Sequence, residues 1–172
     1  MQTWSGAALR HIPAGSPWGV LDFRFAARSS QNRWNTQGAP TLYLAGDEGV
    51  LIAEWGRHFA VRREPGMERI AIERQVFQLE LTLDHVLDFR SASVCDALSL
   101  ANTPWCFADS DLARATAQFV RNTTDAQGIL VPAMAFLDDP SRWCLAIFLE
   151  KLPAAPAQFI SSVVPAGPLR WG

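Results

Sequence analysis

Residues 31–59 read QNRWNTQGAPTLYLAGDEGVLIAEWGRHF, and three kinds of local pattern follow one another within them. Residues 32–40 mix Asn, Thr, Gln, Gly and Pro with a basic-aromatic pair, the composition of a loop that leaves Arg33 and Trp34 available. Residues 41–45 are short, β-prone and alternating, so Leu42 and Leu44 share one face and Thr41, Tyr43 and Ala45 the other. Asp47 then offers an N-cap, and Val50, Leu51, Ala53 and Trp55 recur at helical spacing, with Gly49 and Gly56 weakening the pattern. On such a helix Glu54, Arg57 and His58 lie on one face. Loop, strand and helix in succession bring Arg, Trp, Tyr, Glu and His within reach of one another.

On the amino-terminal side, Gly6, Pro13, Gly15, Pro17 and Gly19 make residues 4–28 irregular, with strand-like pieces expected at 7–12 and 20–25. This segment contributes Arg10, His11 and Arg24. On the carboxyl side, VRREPGM at 61–67 reads as a solvated charged turn, and VFQLELTL at 76–83 alternates as a half-buried strand with Phe77, Leu79, Leu81 and Leu83 inward. Residues 84–89 turn out of it. A short helix is expected at 92–101, stopped by Pro104, with Val94, Leu98 and Ala101 buried. A clearer one is expected at 111–122, capped by Ser110, with Leu112, Ala115, Phe119 and Val120 inward. Two buried strands at 129–132 and 145–149, joined by the turn Asp138-Asp139-Pro140-Ser141, and an edge strand near the end complete the chain. Strands set among two or three helices define an α+β class with a mixed sheet rather than a regular βαβ alternation. Residues 1–152 form the expected domain, and 153–172 a Pro-rich extension packed on it or trailing it.

A chain of 172 residues with 49% hydrophobic and 10% aromatic content fits one globular domain. Its net charge of −2 and pI near 5.9 supply no basic field, so neither nucleic acid nor an anionic membrane surface is an expected partner. Cys95, Cys106 and Cys144 are odd in number and widely spaced, which argues against a disulfide framework and a zinc site. With no apolar run near the ~20 residues of a membrane span and no basic-then-apolar amino terminus, the expectation is a soluble, cytoplasmic protein.

Hydrolase signatures such as GxSxG, HExxH and the P-loop are absent, and His11, His58 and His85 lack metal-ligand spacing. What remains is an arginine loop, a strand tyrosine and a helix glutamate, parts suited to breaking a charged N-glycosidic bond. Nicotinamide leaves a dinucleotide as a neutral ring, so no acid is required; the barrier lies in the oxocarbenium-like ribose. A carboxylate stabilises that developing charge, arginines clamp the pyrophosphate and an aromatic ring stacks on the base. The plainer readings stand beside this one: Glu54 paired with Arg57 or His58 on a solvated face, Tyr43 packing in a half-buried strand, Trp34 and Trp55 as structural walls.

The run Arg33-Trp34-Asn35, Gly38, Pro40, Leu42-Tyr43-Leu44-Ala45, Glu54 and His58 resembles the RES domain, named for its Arg, Glu and Ser positions and found as the toxin half of bacterial RES–Xre toxin–antitoxin pairs. Residues 4–13 and the GILVP run at 128–132 fall where that family has its opening Arg and its closing Gly…Pro-Ser element. The resemblance implies an ADP-ribosyltransferase-like fold that consumes NAD+ by phosphorolysis or hydrolysis, with NAD+ as substrate, inorganic phosphate as a potential co-substrate, no metal, and an Xre-type helix-turn-helix antitoxin as partner. Carried over by position, Glu54 and Arg33 are the catalytic pair, and Arg10, His11, Tyr43, Trp34 and the Ala133 position bind the nucleotide. Arg24 competes with Arg10 for the first arginine. Ala133 stands where the family has serine, so its hydroxyl contact is missing, and Ser141 on the next turn is a candidate replacement. The alternatives are a protein ADP-ribosyltransferase and a catalytically impaired nucleotide-binding module.

Overall fold

The computed structural model describes residues 1–29, 32–61 and 73–169. Six strands, β1 (Gln2–Pro13), β2 (Thr41–Ala45), β3 (Arg74–Asp88), β4 (Gly128–Pro132), β5 (Trp143–Phe148) and β6 (Ile160–Pro168), are accompanied by helices α1 (Glu48–Val61), α2 (Ala92–Ala97) and α3 (Ser110–Thr123). The sheet order is β1-β2-β5-β4-β3-β6, with β1 also paired to β3, so the first five strands close on themselves. β3 runs parallel to β4, and every other pair is antiparallel. This is the mixed sheet of an α+β protein.

The closure is uneven. β1 follows β3 along nearly its whole length, from Gln2↔Val86 to Pro13↔Arg74. It meets β2 at the single pair Leu9↔Ala45. Beyond that pair the two strands are not bonded to each other, and the gap between them becomes the cleft described below. β6 adds to the free side of β3 opposite Gln75–Leu81, so Ile160–Pro168 of the 153–172 segment is a strand of the same sheet.

One layer of core, with Leu79, Leu81 and Leu83 of β3 against Leu42, Leu44, Leu145 and Ile147, lies on one side of the strands. A second layer, Trp34, Phe89, Phe107, Ala117, Val120 and Phe148, lies between sheet and α3. A smaller cluster, Val50, Leu51, Ala45, Val76 and Ala133, seats α1.

The Asp47 side chain accepts from the Val50 amide at 2.8 Å and caps α1 as expected. The side chains of Arg57 and His58, and the charged turn expected at 61–67 beyond Val61, lie outside the described residues. Elsewhere several expectations fail for identifiable reasons. Residues 20–25 form turns rather than a strand; their carbonyls are drawn to Arg10. β3 does not turn out at Asp84. Asp84 and His85 are exposed and break the side-chain alternation, but strand pairing needs only the main chain, and Val86–Asp88 pair with β4. α2 ends at Ala97 because Ser99 and Asn102 adopt positive φ, and its buried residue is Cys95. α3 is capped by Asp109, which accepts from the Asp111 and Leu112 amides, and not by Ser110. Its buried residues are Ala113, Thr116, Ala117, Arg121 and, as expected, Val120, leaving Leu112, Ala115 and Phe119 exposed. Small side chains let this helix lie close to Phe89 and Phe107, and closeness decided the face over hydrophobicity.

Candidate active site

The gap between β1 and β2 opens into a cleft of about 800 Å³, large enough for a dinucleotide. Its lining includes Arg10, His11, Arg33, Trp34, Tyr43 and Glu54. Successive strand residues leave on opposite faces, yet Arg10 and His11 both line it, because the cleft runs through the split in the sheet and not along one face.

Arg10 extends toward the opening segment, where its guanidinium donates to the Val20 carbonyl and, at 3.5 Å, to that of Asp22, and lies 5.1 Å from the Phe23 ring. Burial lowers its pKa to about 10, against the opposing pull of Asp22. Arg24, its rival in the sequence, is more than half exposed, ion-paired to Asp22 and stacked on Trp18, and does not line the cleft. His11 accepts at Nδ1 from Arg74 Nε (2.9 Å) and meets the Trp55 ring edge-on at 4.7 Å. Burial, then the charges of Arg74 and Arg10, lower His11 to about 4, so its ring is neutral.

Arg33 donates to the carbonyls of Phe107 and Ala108 at 2.6 and 3.0 Å, closing the short 3-10 turn Trp105–Ala108 and fixing one cationic edge of the cleft. Trp34 turns inward: its ring packs edge-on to Phe107 and Phe89 in the second core layer and is 3% exposed. Tyr43 is both lining and anchor. Its hydroxyl accepts from the Trp34 amide (3.1 Å) and donates to Asn35 Oδ1 (2.7 Å), tying the arginine loop to β2, and burial pushes the phenol well above its ordinary range.

Glu54 faces the loop after β4, where Oε1 accepts from the Met134 amide at 2.9 Å. Ala133, one residue earlier, is fully buried against the α1 cluster and donates its amide to the Arg142 carbonyl, so it supports this loop from behind the cleft wall. Ser141 points away, its hydroxyl donating to Asp139 at 2.6 Å, and takes no part in the lining. Cys144 lines the cleft as a thiol pushed up by burial and by the carboxylates of Glu54 and Asp47. Among the described residues no three His, Cys, Asp or Glu side chains come together as a metal site. No described helix is long and apolar enough to cross a membrane.

Sequence reasoning passed over Arg74, whose guanidinium stacks 4.3 Å from the Trp55 ring inside the cleft. A signal existed. Extending the β3 alternation backwards puts Arg74 on the face of Val76, opposite to that of Leu79, and hence toward α1. The donor set of the cleft, with three arginines, a neutral imidazole, a backbone-oriented carboxylate and aromatic walls, is that of a site for an anionic, ring-bearing ligand.

The fold is thus an α+β domain whose split sheet brings arginines and a helix-borne carboxylate to one cleft. The chain belongs to the RES domain family, which it matches over residues 8–172. Among solved structures it is similar to the MbcT–MbcA toxin–antitoxin complex of M. tuberculosis, with a TM-score of 0.70 and 22% identity over 96% of this chain and 86% of that one. At that identity the likeness speaks to the fold. No curated protein matches it.

Proposed function

We propose that this RES domain protein is the toxin of a bacterial toxin–antitoxin pair, has an ADP-ribosyltransferase-like fold, and degrades NAD+ in the cytoplasm by cleaving the nicotinamide–ribose bond, with phosphate or water as acceptor. The observation that carries the reading is the meeting of Glu54 with Arg10 and Arg33 around one dinucleotide-sized cleft. The solved relative is a toxin in complex with its antitoxin, which supports an antitoxin partner here, and we assign that partner to the Xre type.

Nicotinamide departs as a neutral ring, so the work of the site is to stabilise the positive ribose it leaves. The Met134 amide fixes one oxygen of Glu54, and the carboxylate, held from behind by main chain, supplies a preoriented negative charge toward the cleft. Arg33 and Arg10 are themselves held by carbonyls, so their charge is in place before the substrate arrives. Tyr43 lines the same cleft.

Following nicotinamide release from NAD+, with and without phosphate, tests the reading. Glu54→Gln keeps an acceptor for the Met134 amide but removes the charge, and lowers release by about a hundredfold or more. No release by the unaltered protein, or release unchanged in the variant, refutes the mechanism. Ala133 favours one second reading, a binding module that holds NAD+ without cleaving it; in that case NAD+ raises the melting temperature and is recovered intact.

A further inference from the structure

Arg10 and Arg33 spend donors on main-chain oxygens. Arg74 is held differently. It opens β3 opposite Pro13, and because His11 pairs with Val76 the two side chains are diagonal neighbours on one face. Arg74 Nε donates to His11 Nδ1 (2.9 Å), and both groups rest against the Trp55 indole, Arg74 at 4.3 Å and His11 at 4.7 Å. Two contacts thus fix the plane of the guanidinium while engaging only Nε. Among the described residues its terminal nitrogens have no hydrogen-bond acceptor, and no carboxylate forms an ion pair with it.

The hydrogen bond also sets the imidazole. A guanidinium can only donate, so His11 Nδ1 must carry a lone pair, and the ring proton sits on Nε2. The lowered pKa of His11 agrees with a neutral ring. A planar fork of N–H donors beside a single imidazole N–H, in a partly buried cleft, matches the oxygens of a phosphoryl group in both geometry and charge. Glu54, which precedes Trp55 on α1, lines the same cleft as this donor set.

We propose that Arg74, with the Nε2–H of His11, forms a phosphoryl-binding subsite of the cleft, occupied by the pyrophosphate of the dinucleotide or by inorganic phosphate. The choice between these occupants rests on the NAD+ reading above; binding of a phosphoryl anion does not.

The test is calorimetric titration of the full chain with inorganic phosphate, inorganic pyrophosphate, ADP-ribose and adenosine, comparing the natural protein with Arg74→Gln and with Arg74→Lys, which keeps the charge and loses the fork. Arg74→Gln weakens binding of the phosphoryl ligands about tenfold or more, the worth of one charge-assisted pair, and leaves adenosine binding unchanged; Arg74→Lys falls between. Loss confined to phosphate identifies a co-substrate site, and loss shared by pyrophosphate and ADP-ribose a dinucleotide site. In nuclear magnetic resonance spectra, phosphate or pyrophosphate moves the His11 ring signals of the natural protein and not those of Arg74→Gln. Should Arg74→Gln fail to fold, the Lys variant carries the comparison. Equal binding of every phosphoryl ligand by natural and variant proteins, or none by the natural protein, overturns the proposal. A protein that releases no nicotinamide yet loses phosphoryl binding in Arg74→Gln refutes the enzyme and keeps the subsite.

Discussion

Tyr43→Phe separates the two roles of this residue, because it removes one oxygen and leaves the ring. The hydroxyl makes two hydrogen bonds, one from the Trp34 amide and one to Asn35 Oδ1, and Asn35 is 2% exposed. Water has little room to replace either bond. Leaving a buried polar group unpaired costs about 1–3 kcal/mol, so losing two partners, one of them a backbone amide with limited freedom to relax, destabilises the fold by about 2–4 kcal/mol. For a chain of this size that lowers the melting temperature by roughly 5–12 °C. Urea unfolding is the primary assay, with a midpoint shift at unchanged slope expected. The same substitution loosens residues 33–35, so nicotinamide release falls even though the ring that would stack on the substrate is still present. A loss below about 0.5 kcal/mol, within the scatter of ordinary surface substitutions, would refute the claim that the hydroxyl anchors the arginine loop.

The remaining predictions concern charge and packing. His11 has a folded pKa of about 4 against an ordinary 6.5, so the unfolded chain binds the extra proton first: its contribution is fully present above pH 6.5, is lost as the pH falls toward 4, and amounts to about 3 kcal/mol at most. Urea midpoints at pH 7 and 4.5 should differ more in the natural protein than in His11→Gln. Glu150→Gln leaves Arg121, which also donates to Thr41 at 2.7 Å, as a buried cation without its carboxylate; since Glu150 is itself partly exposed, about 1–3 kcal/mol is expected in the same assay. A Cβ on Gly128 would sit 2.9 Å from the Ala146 carbonyl oxygen, a backbone atom, so Gly128→Ala costs about 1–3 kcal/mol, whereas Gly19→Ala, with nothing within 4 Å, changes little. Equal melting temperatures for those two variants would contradict the packing of β4 against β5.

Much of the sheet was legible because strands declare themselves locally. β2 and β4 carry their own alternation or apolar runs and fall within a residue of the expected bounds, and the middle of β3 alternates as expected although the strand runs on to Asp88. The face of α3 was legible only at Val120. Leu112 and Phe119 are its most hydrophobic candidates, yet Ala113 and Ala117 face the core, since what a helix buries depends on how near its neighbour comes. The site was readable where its residues crowd into one stretch, as Arg33, Tyr43 and Glu54 do. Trp34 lines the cleft while its ring packs in the core, and the alternation of β3 could place Arg74 toward α1 but could not match it with His11 and Trp55, which are brought to it only by strand register and helix packing.

The single Leu9↔Ala45 pair has a consequence for motion. A seam of one residue pair can part without disturbing the long β1–β3 ladder, so amide exchange at Leu9 and Ala45 should be governed by a local opening and that of central β3 by unfolding of the whole domain. A ligand that reaches from Arg10 or His11 on one lip to Tyr43 on the other would act as a staple across the seam, slowing exchange there first. The cleft and the weakest joint of the sheet are the same place, and whatever fills one should tighten the other.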